Sequence, residues 1–136
     1  ILPIENIQEL VDLQDEGVIA VEQGTRVLRH RNELYPFETL EGLFFNKQPH
    51  KKLSEGSAIL IESNQQTVAL WADKIVGQTQ VVLKSLGDNF DEIKGISGAA
   101  ILGDGRVALV LDAAGLINVV KHFEVSPSDL ENRMAA

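Results

Sequence analysis

Two segments of the chain carry one pattern. Ala58-Ile59-Leu60 is followed, after a polar spacer, by Val68-Ala69-Leu70 and then Asp73. Ala100-Ile101-Leu102 is followed by Val107-Ala108-Leu109 and then Asp112. The spacer is seven residues in the first copy and four in the second. Short apolar runs of this kind, joined by turn-forming residues, read as strands folded back into hairpins. The shorter spacer contains Gly103-Asp104-Gly105. A phosphate cradle there would need a helix straight after its glycines, so that backbone N–H groups point at the anion. Arg106 to Leu111 is strand-like instead. A calcium loop of the helix–loop–helix type needs acids at several alternate positions, and only Asp104 is present. Gly103-Asp104-Gly105 is therefore expected to be a hairpin turn. A chain organised around repeated hairpins is expected to be all-β.

The remaining segments agree. "VLRHRNELYPF", Val27 to Phe37, alternates around Arg31-Asn32, where Asn tolerates the positive φ of a tight turn. Leu40, Leu43 and Phe44 share one helical face, enough for a turn or two of helix. Asn46 to Ser57 reads as a linker, with Pro49, Gly56 and a run of charge. Gln78 to Lys84, rich in β-branched residues, predicts a strand. After Asp112, a candidate N-cap, Leu116, Val119, Val120 and Phe123 fall at helical spacing. Ser126-Pro127-Ser128-Asp129 resembles a fresh helix start. The apolar opening Ile1-Leu2-Pro3-Ile4 reads like the middle of an element, so the chain is expected to be a piece of a longer protein.

Composition narrows the chemistry. With no cysteine, disulfides and thiolate catalysis are excluded for this chain. No apolar run approaches bilayer-spanning length. A formal net charge of −8 opposes nucleic acid. The best basic stretch (Arg26, Arg29, Arg31, Lys47, Lys51, Lys52) is diluted by Glu33, Glu38 and Glu41. His30, His50 and His122 show no metal spacing and read as solvated. Ser97 lies in Gly95-Ile96-Ser97-Gly98, which lacks the register of a nucleophile elbow. Asp88, Asp91 and Glu92 read as a solvated acidic loop, and Asp73 and Asp112 as caps rather than a catalytic carboxylate pair. No catalytic constellation, cofactor site or metal site is expected. What remains is a β-domain whose exterior binds other proteins. A small-ligand or enzymatic β-barrel is the alternative of another class.

"GQTQVVLKSLG" and "GISGAAILGDGRVALVLDAAGLI" closely resemble the C-terminal regulatory domain of the bacterial chemotaxis histidine kinase CheA, a member of the CheW-like family. "LPIENIQELV" and "RNELYPFETLEGLF" match the family's first half, so the resemblance runs from about Leu2 to Ile117. It implies two intertwined five-stranded SH3-like barrels in a single domain: one lobe over residues 1–52 with the helix at 113–124, the other over 53–112. A strand that precedes Leu-Pro in the family would lie upstream of Ile1. The resemblance further implies a non-catalytic, cytoplasmic module at membrane-associated receptor arrays. Its partners would be a CheW-type adaptor and the chemoreceptor cytoplasmic tip, with no membrane insertion of its own, and self-association or strand exchange stays open. A free-standing adaptor of the same family is the alternative. Glu9 matches a Glu that pairs in adaptors with the Arg of an Arg-Gly; that Arg matches Arg31, with Asn32 in the Gly position. Glu9 and Arg31 are thus the receptor-coupling candidates. Ile19, Leu34, Phe44, Leu83 and Ile101, beside turns, are the adaptor-contact candidates, although alternation predicts that most of these are core.

Overall fold

A computed structural model of the chain describes residues 1–13, 17–20, 26–84 and 94–122. The elements in chain order are β1 (Ile7–Asp12), β2 (Gly17–Ala20), β3 (Arg26–His30), β4 (Glu33–Thr39), α1 (Leu40–Phe45), β5 (Ser57–Ser63), β6 (Gln66–Ala72), β7 (Leu83–Lys84), β8 (Ile96–Ile101), β9 (Val107–Leu111) and α2 (Ala113–His122). Six strands form one sheet in the order β1-β5-β6-β4-β3-β2, and β7-β8-β9 form a second. The fold is mostly strand, as the hairpin pattern requires. The described residues form sheets of six and three strands.

Among the described residues, two tight turns of the large sheet are of one kind. Arg31 and Asn32 (φ 51° and 64°) join β3 to β4, and Asn64 and Gln65 (φ 52° and 63°) join β5 to β6. Two consecutive residues at positive φ make the type I′ turn, whose twist matches that of paired strands. Thr39 then starts α1: its hydroxyl accepts from the Gly42 N–H at 2.9 Å. Asn46 ends that helix in the left-handed conformation.

The two repeated hairpins have different fates. β5 and β6 lie in the large sheet, and β8 and β9 in the second. β6 runs parallel to β4, with Phe37 opposite Ala69 and Thr39 opposite Trp71. Their registers also differ. Val68 faces Ile61 in the first copy, whereas Val107 faces Ile101 in the second, a slip of two residues relative to the sequence repeat. An even slip keeps every side chain on its original face, so the alternation survives.

The core has two compartments on opposite faces of β5–β6. Ile59, Ile61, Val68, Leu70 and Ala72 pack with Leu111 and with Leu116, Ile117 and Val120 of α2. Ala58, Leu60, Ala69 and Trp71 pack with Val11, Leu13, Leu28 and Phe37. Trp71 donates its indole N–H to the Leu53 carbonyl at 3.0 Å. Gly56 lies so close that a Cβ there would stand 2.5 Å from both the Trp71 ring and the Ala72 carbonyl. At the edge of the second sheet, Ile1 lies against β9: its nitrogen donates to the Leu109 carbonyl and its carbonyl accepts from the Leu111 N–H, each at 2.8 Å.

The strand expected over Gln78–Lys84 is confined to Leu83–Lys84, which pair with Ala100 and Ala99. Residues 74–82 run without a ladder partner, exposed except for the half-buried Val81, and β-branched composition alone does not make a strand. α2 follows Asp112, whose backbone carbonyl accepts from the Leu116 N–H at 2.9 Å. Phe123, the helix start at Ser126–Asp129 and the acidic run Asp88, Asp91 and Glu92 lie outside the described residues.

Gly103, Asp104 and Gly105 form the β8–β9 turn. The Gly105 N–H donates to the Leu102 carbonyl at 2.9 Å, and Gly105 takes φ 86°. The Arg106 N–H donates to Asp104 Oδ1 at 3.0 Å, and that bond, with the Arg106 side chain, holds the Asp104 carboxyl below the ordinary carboxylate range. Positive φ is costly for any side chain with a Cβ, and a β-branched residue adds to the cost. Gly105→Val is expected to lower unfolding stability by about 1 kcal/mol or more. Gly103→Ala, in open space and without positive φ, should leave the urea midpoint unchanged. Equal effects of the two would remove the backbone argument.

Candidate interaction site

The large sheet curls until its first strand reaches the β3–β4 turn. Glu9 of β1 and Arg31 of the turn meet there, with Arg31 Nη2 at 3.1 Å from Glu9 Oε1. The same carboxylate oxygen lies 3.2 Å from His30 Nε2. Arg31 is exposed and Glu9 partly so, and an exposed pair of this kind contributes less than about 1 kcal/mol. The cluster therefore shapes a surface more than it stabilises the fold.

His30 is the residue the sequence reading misplaced. It is 7% exposed, not solvated. β3 buries Leu28 and His30 on one face and exposes Arg29 on the other. The signal was the period of two: a strand that points Leu28 inward also points His30 inward. Beyond the turn, the Tyr35 hydroxyl donates to Glu33 Oε2 at 2.6 Å. That bond to a carboxylate, with Glu9 adding repulsion of the phenolate, raises the Tyr35 hydroxyl above its ordinary range, while Arg31 acts the other way. One turn thus gathers Glu9, His30, Arg31, Glu33 and Tyr35.

The adaptor-contact candidates divide. Leu34, Leu83 and Ile101 are 59%, 61% and 51% exposed, against the expectation that most would be core. Phe44 is partly buried and packs on the core beside Leu40 and Leu43. Ile19 lies on β2 opposite Val27, and its side chain is outside the description. Ile101 faces Val107 across β8–β9, and Val107 and Leu109 are exposed as well. The second sheet thus presents a run of apolar side chains that the sequence reading had only in part.

Elsewhere, His50 is exposed but engaged: Nδ1 is 2.7 Å from Glu41 Oε1 and Nε2 is 3.5 Å from Asp73 Oδ2. His122 ends α2. The Ser97 hydroxyl donates to the Val110 carbonyl at 3.3 Å. Among the described residues no three His, Asp or Glu side chains converge as a metal site, and no helix is long and apolar enough to cross a membrane.

Curled sheets with strands far outnumbering helices are also the fold of a chemotaxis scaffold: the structure of scaffolding protein TtCheW from Thermoanaerobacter tengcongensis matches with a TM-score of 0.62 at 16% identity, covering 82% of this chain and 79% of that one. The profile of the CheW-like domain family matches residues 1–121, and the chain belongs to that family. Among curated relatives, chemotaxis protein CheA of Salmonella typhimurium is 35% identical over 116 residues, 85% of this chain and 17% of that protein. The sensor histidine kinase CheAY of Helicobacter pylori is 28% identical over 131 residues, 96% of this chain and 16% of that protein. The chain spans about a sixth of the length of these relatives.

Tyr35 is the sole tyrosine, so phenolate absorbance reports on it alone. Its titration midpoint is expected above 10.0. Glu33→Gln should lower the midpoint and Arg31→Ala should raise it. A midpoint indifferent to both changes would mean that the cluster does not form in solution.

Proposed function

We propose that this domain is a non-catalytic interaction module of a cytoplasmic chemotaxis histidine kinase, binding a CheW-type adaptor and coupling the kinase to the chemoreceptor cytoplasmic tip. The observation that carries the reading is the CheW-like match along residues 1–121, together with the 35% identity to a chemotaxis kinase. The kinase reading is preferred to a free-standing adaptor because identity to that kinase is about twice the 16% shared with the scaffold TtCheW.

Roles follow from chemistry. Adaptor contact falls to Ile101, where Val107 and Leu109 extend the apolar surface on the same face, and to Leu83 on the neighbouring strand β7. An apolar centre shielded from water by a polar rim is how such contacts gain affinity. Leu34 supplies a smaller apolar point beside the β3–β4 turn. Receptor coupling falls to Glu9 and Arg31, with His30 fixing the inner side of the Glu9 carboxylate. The lobes are then the curled large sheet, carrying the receptor-facing turn, and the three-stranded sheet, carrying the adaptor-facing surface.

Calorimetric titration with a CheW-type adaptor tests this. Saturable binding is expected, weakened about tenfold or more by Leu83→Glu with Ile101→Glu, since a charge in an apolar contact centre loses hydration without gaining a partner. Arg31→Glu should keep adaptor affinity within about twofold while reducing receptor control of the kinase in a reconstituted array. No saturable adaptor binding, or equal loss of both activities in Arg31→Glu, would contradict the assignment.

A further inference from the structure

The segment between α1 and β5 inverts the charge of the molecule. The chain carries −8 overall, yet residues 46–56 hold Lys47, Lys51 and Lys52 against one acid, Glu55. All three lysines are exposed, as is Lys74 just past β6. Among the described residues none of the four pairs with a carboxylate, whereas Arg26, Arg31 and Arg106 each do.

The strip is held in place from both sides. His50 reaches Glu41 on α1 with one ring nitrogen and lies near Asp73 at the end of β6 with the other. The Lys47 N–H donates to the Glu41 carbonyl, and Leu53 is tied to the buried Trp71. Lys51 and Lys52, between these anchors, are therefore brought to the same end of β6 as Lys74. Glu41 and Asp73, the acids that flank the strip, are the ones His50 engages, and Glu55 lies at its far end. Beside the lysines, Phe45 is 68% exposed, while its neighbour Phe44 packs inward. An exposed aromatic ring flanked by unpaired cations is a surface with an apolar anchor and a charged rim.

We infer that this strip, Phe45 with Lys47, Lys51, Lys52 and Lys74, docks a short acidic segment of a partner protein that also presents an apolar side chain to Phe45. Charge complementarity selects the occupant. A bilayer or a nucleic-acid duplex is larger than the patch and meets the surrounding acidic surface within a screening length of about 8–10 Å. A short peptide segment meets the lysines alone. The inference goes beyond the adaptor and receptor contacts: it uses none of their residues and does not depend on them.

The test uses the whole chain and a fluorescein-labelled peptide of alternating Glu and Leu, followed by anisotropy. Saturable binding that weakens steadily with added salt is expected, with no binding of the same peptide carrying Gln for Glu. K51E/K52E should weaken it about tenfold or more, and Phe45→Ala about threefold. K94E/K121E, which changes net charge equally elsewhere, should keep wild-type affinity. None of these side chains is buried in the core, and unchanged melting temperatures show that the variants fold. Absence of saturation, equal loss in K51E/K52E and K94E/K121E, or binding of phosphatidylserine vesicles or duplex DNA in preference to the peptide would overturn the inference.

Discussion

The structure depends on one hairpin that is buried on both faces. Along β5, Ile59 and Ile61 face one compartment and Ala58 and Leu60 the other; along β6, Val68, Leu70 and Ala72 oppose Ala69 and Trp71. A strand alternates its side chains, so a sheet with water on one side alternates apolar and polar residues. β5–β6 has no polar face to give, and its runs Ala58-Ile59-Leu60-Ile61 and Val68-Ala69-Leu70-Trp71-Ala72 are continuous. Each fully buried aliphatic side chain contributes roughly 1.5–3 kcal/mol, and cutting one back to Ala costs about 2–5 kcal/mol. The hairpin joins the curled sheet on one side to α2 and the start of the second sheet on the other.

That arrangement leaves the periphery free to vary. β1 pairs with β5, and β4 with β6, so the sheet curves around its hairpin and brings Glu9 against His30 and Arg31. The second sheet meets the core through Ile96 and Leu111, and the turn end of the same hairpin keeps Ile101, Val107 and Leu109 in water. Rigid centre and exposed rim are the physical requirement for a domain that works by contact: the centre fixes geometry, and the rim supplies chemistry. The linker strip obeys the same logic, since Trp71, the largest buried side chain of the hairpin, holds Leu53 and with it the lysines.

Much of this was legible in the sequence. Continuous apolar runs joined by polar or glycine turns specify hairpins whatever their neighbours, so β5–β6 and β8–β9 are readable locally. Arg31-Asn32 marks its turn for the same reason, and Leu40, Leu43 and Phe44 mark α1. The Glu9–Arg31 contact came from the family resemblance, and the structure places the pair together. What failed is non-local. The repeat suggested equivalent hairpins, but the parallel pairing of β4 with β6 draws the first copy into the large sheet, and no local pattern encodes that partner. The strand at Gln78–Lys84 shrank because composition cannot supply an edge to pair with. The burial of His30 is readable from Leu28 two residues earlier, because alternation turns both side chains inward whatever their polarity. The lysine strip reads as an ordinary linker in the sequence because its ion-pair partners are set only in three dimensions.

Amide hydrogen exchange of the intact chain tests the central claim most directly, because it ranks local opening against global unfolding. If β5–β6 is the keystone, the amides of Leu60, Ile61, Ala69 and Leu70 exchange only through global unfolding, and those of β8–β9 exchange through a smaller opening of the second sheet. Protection in β8–β9 equal to or above that in β5–β6 would contradict the account.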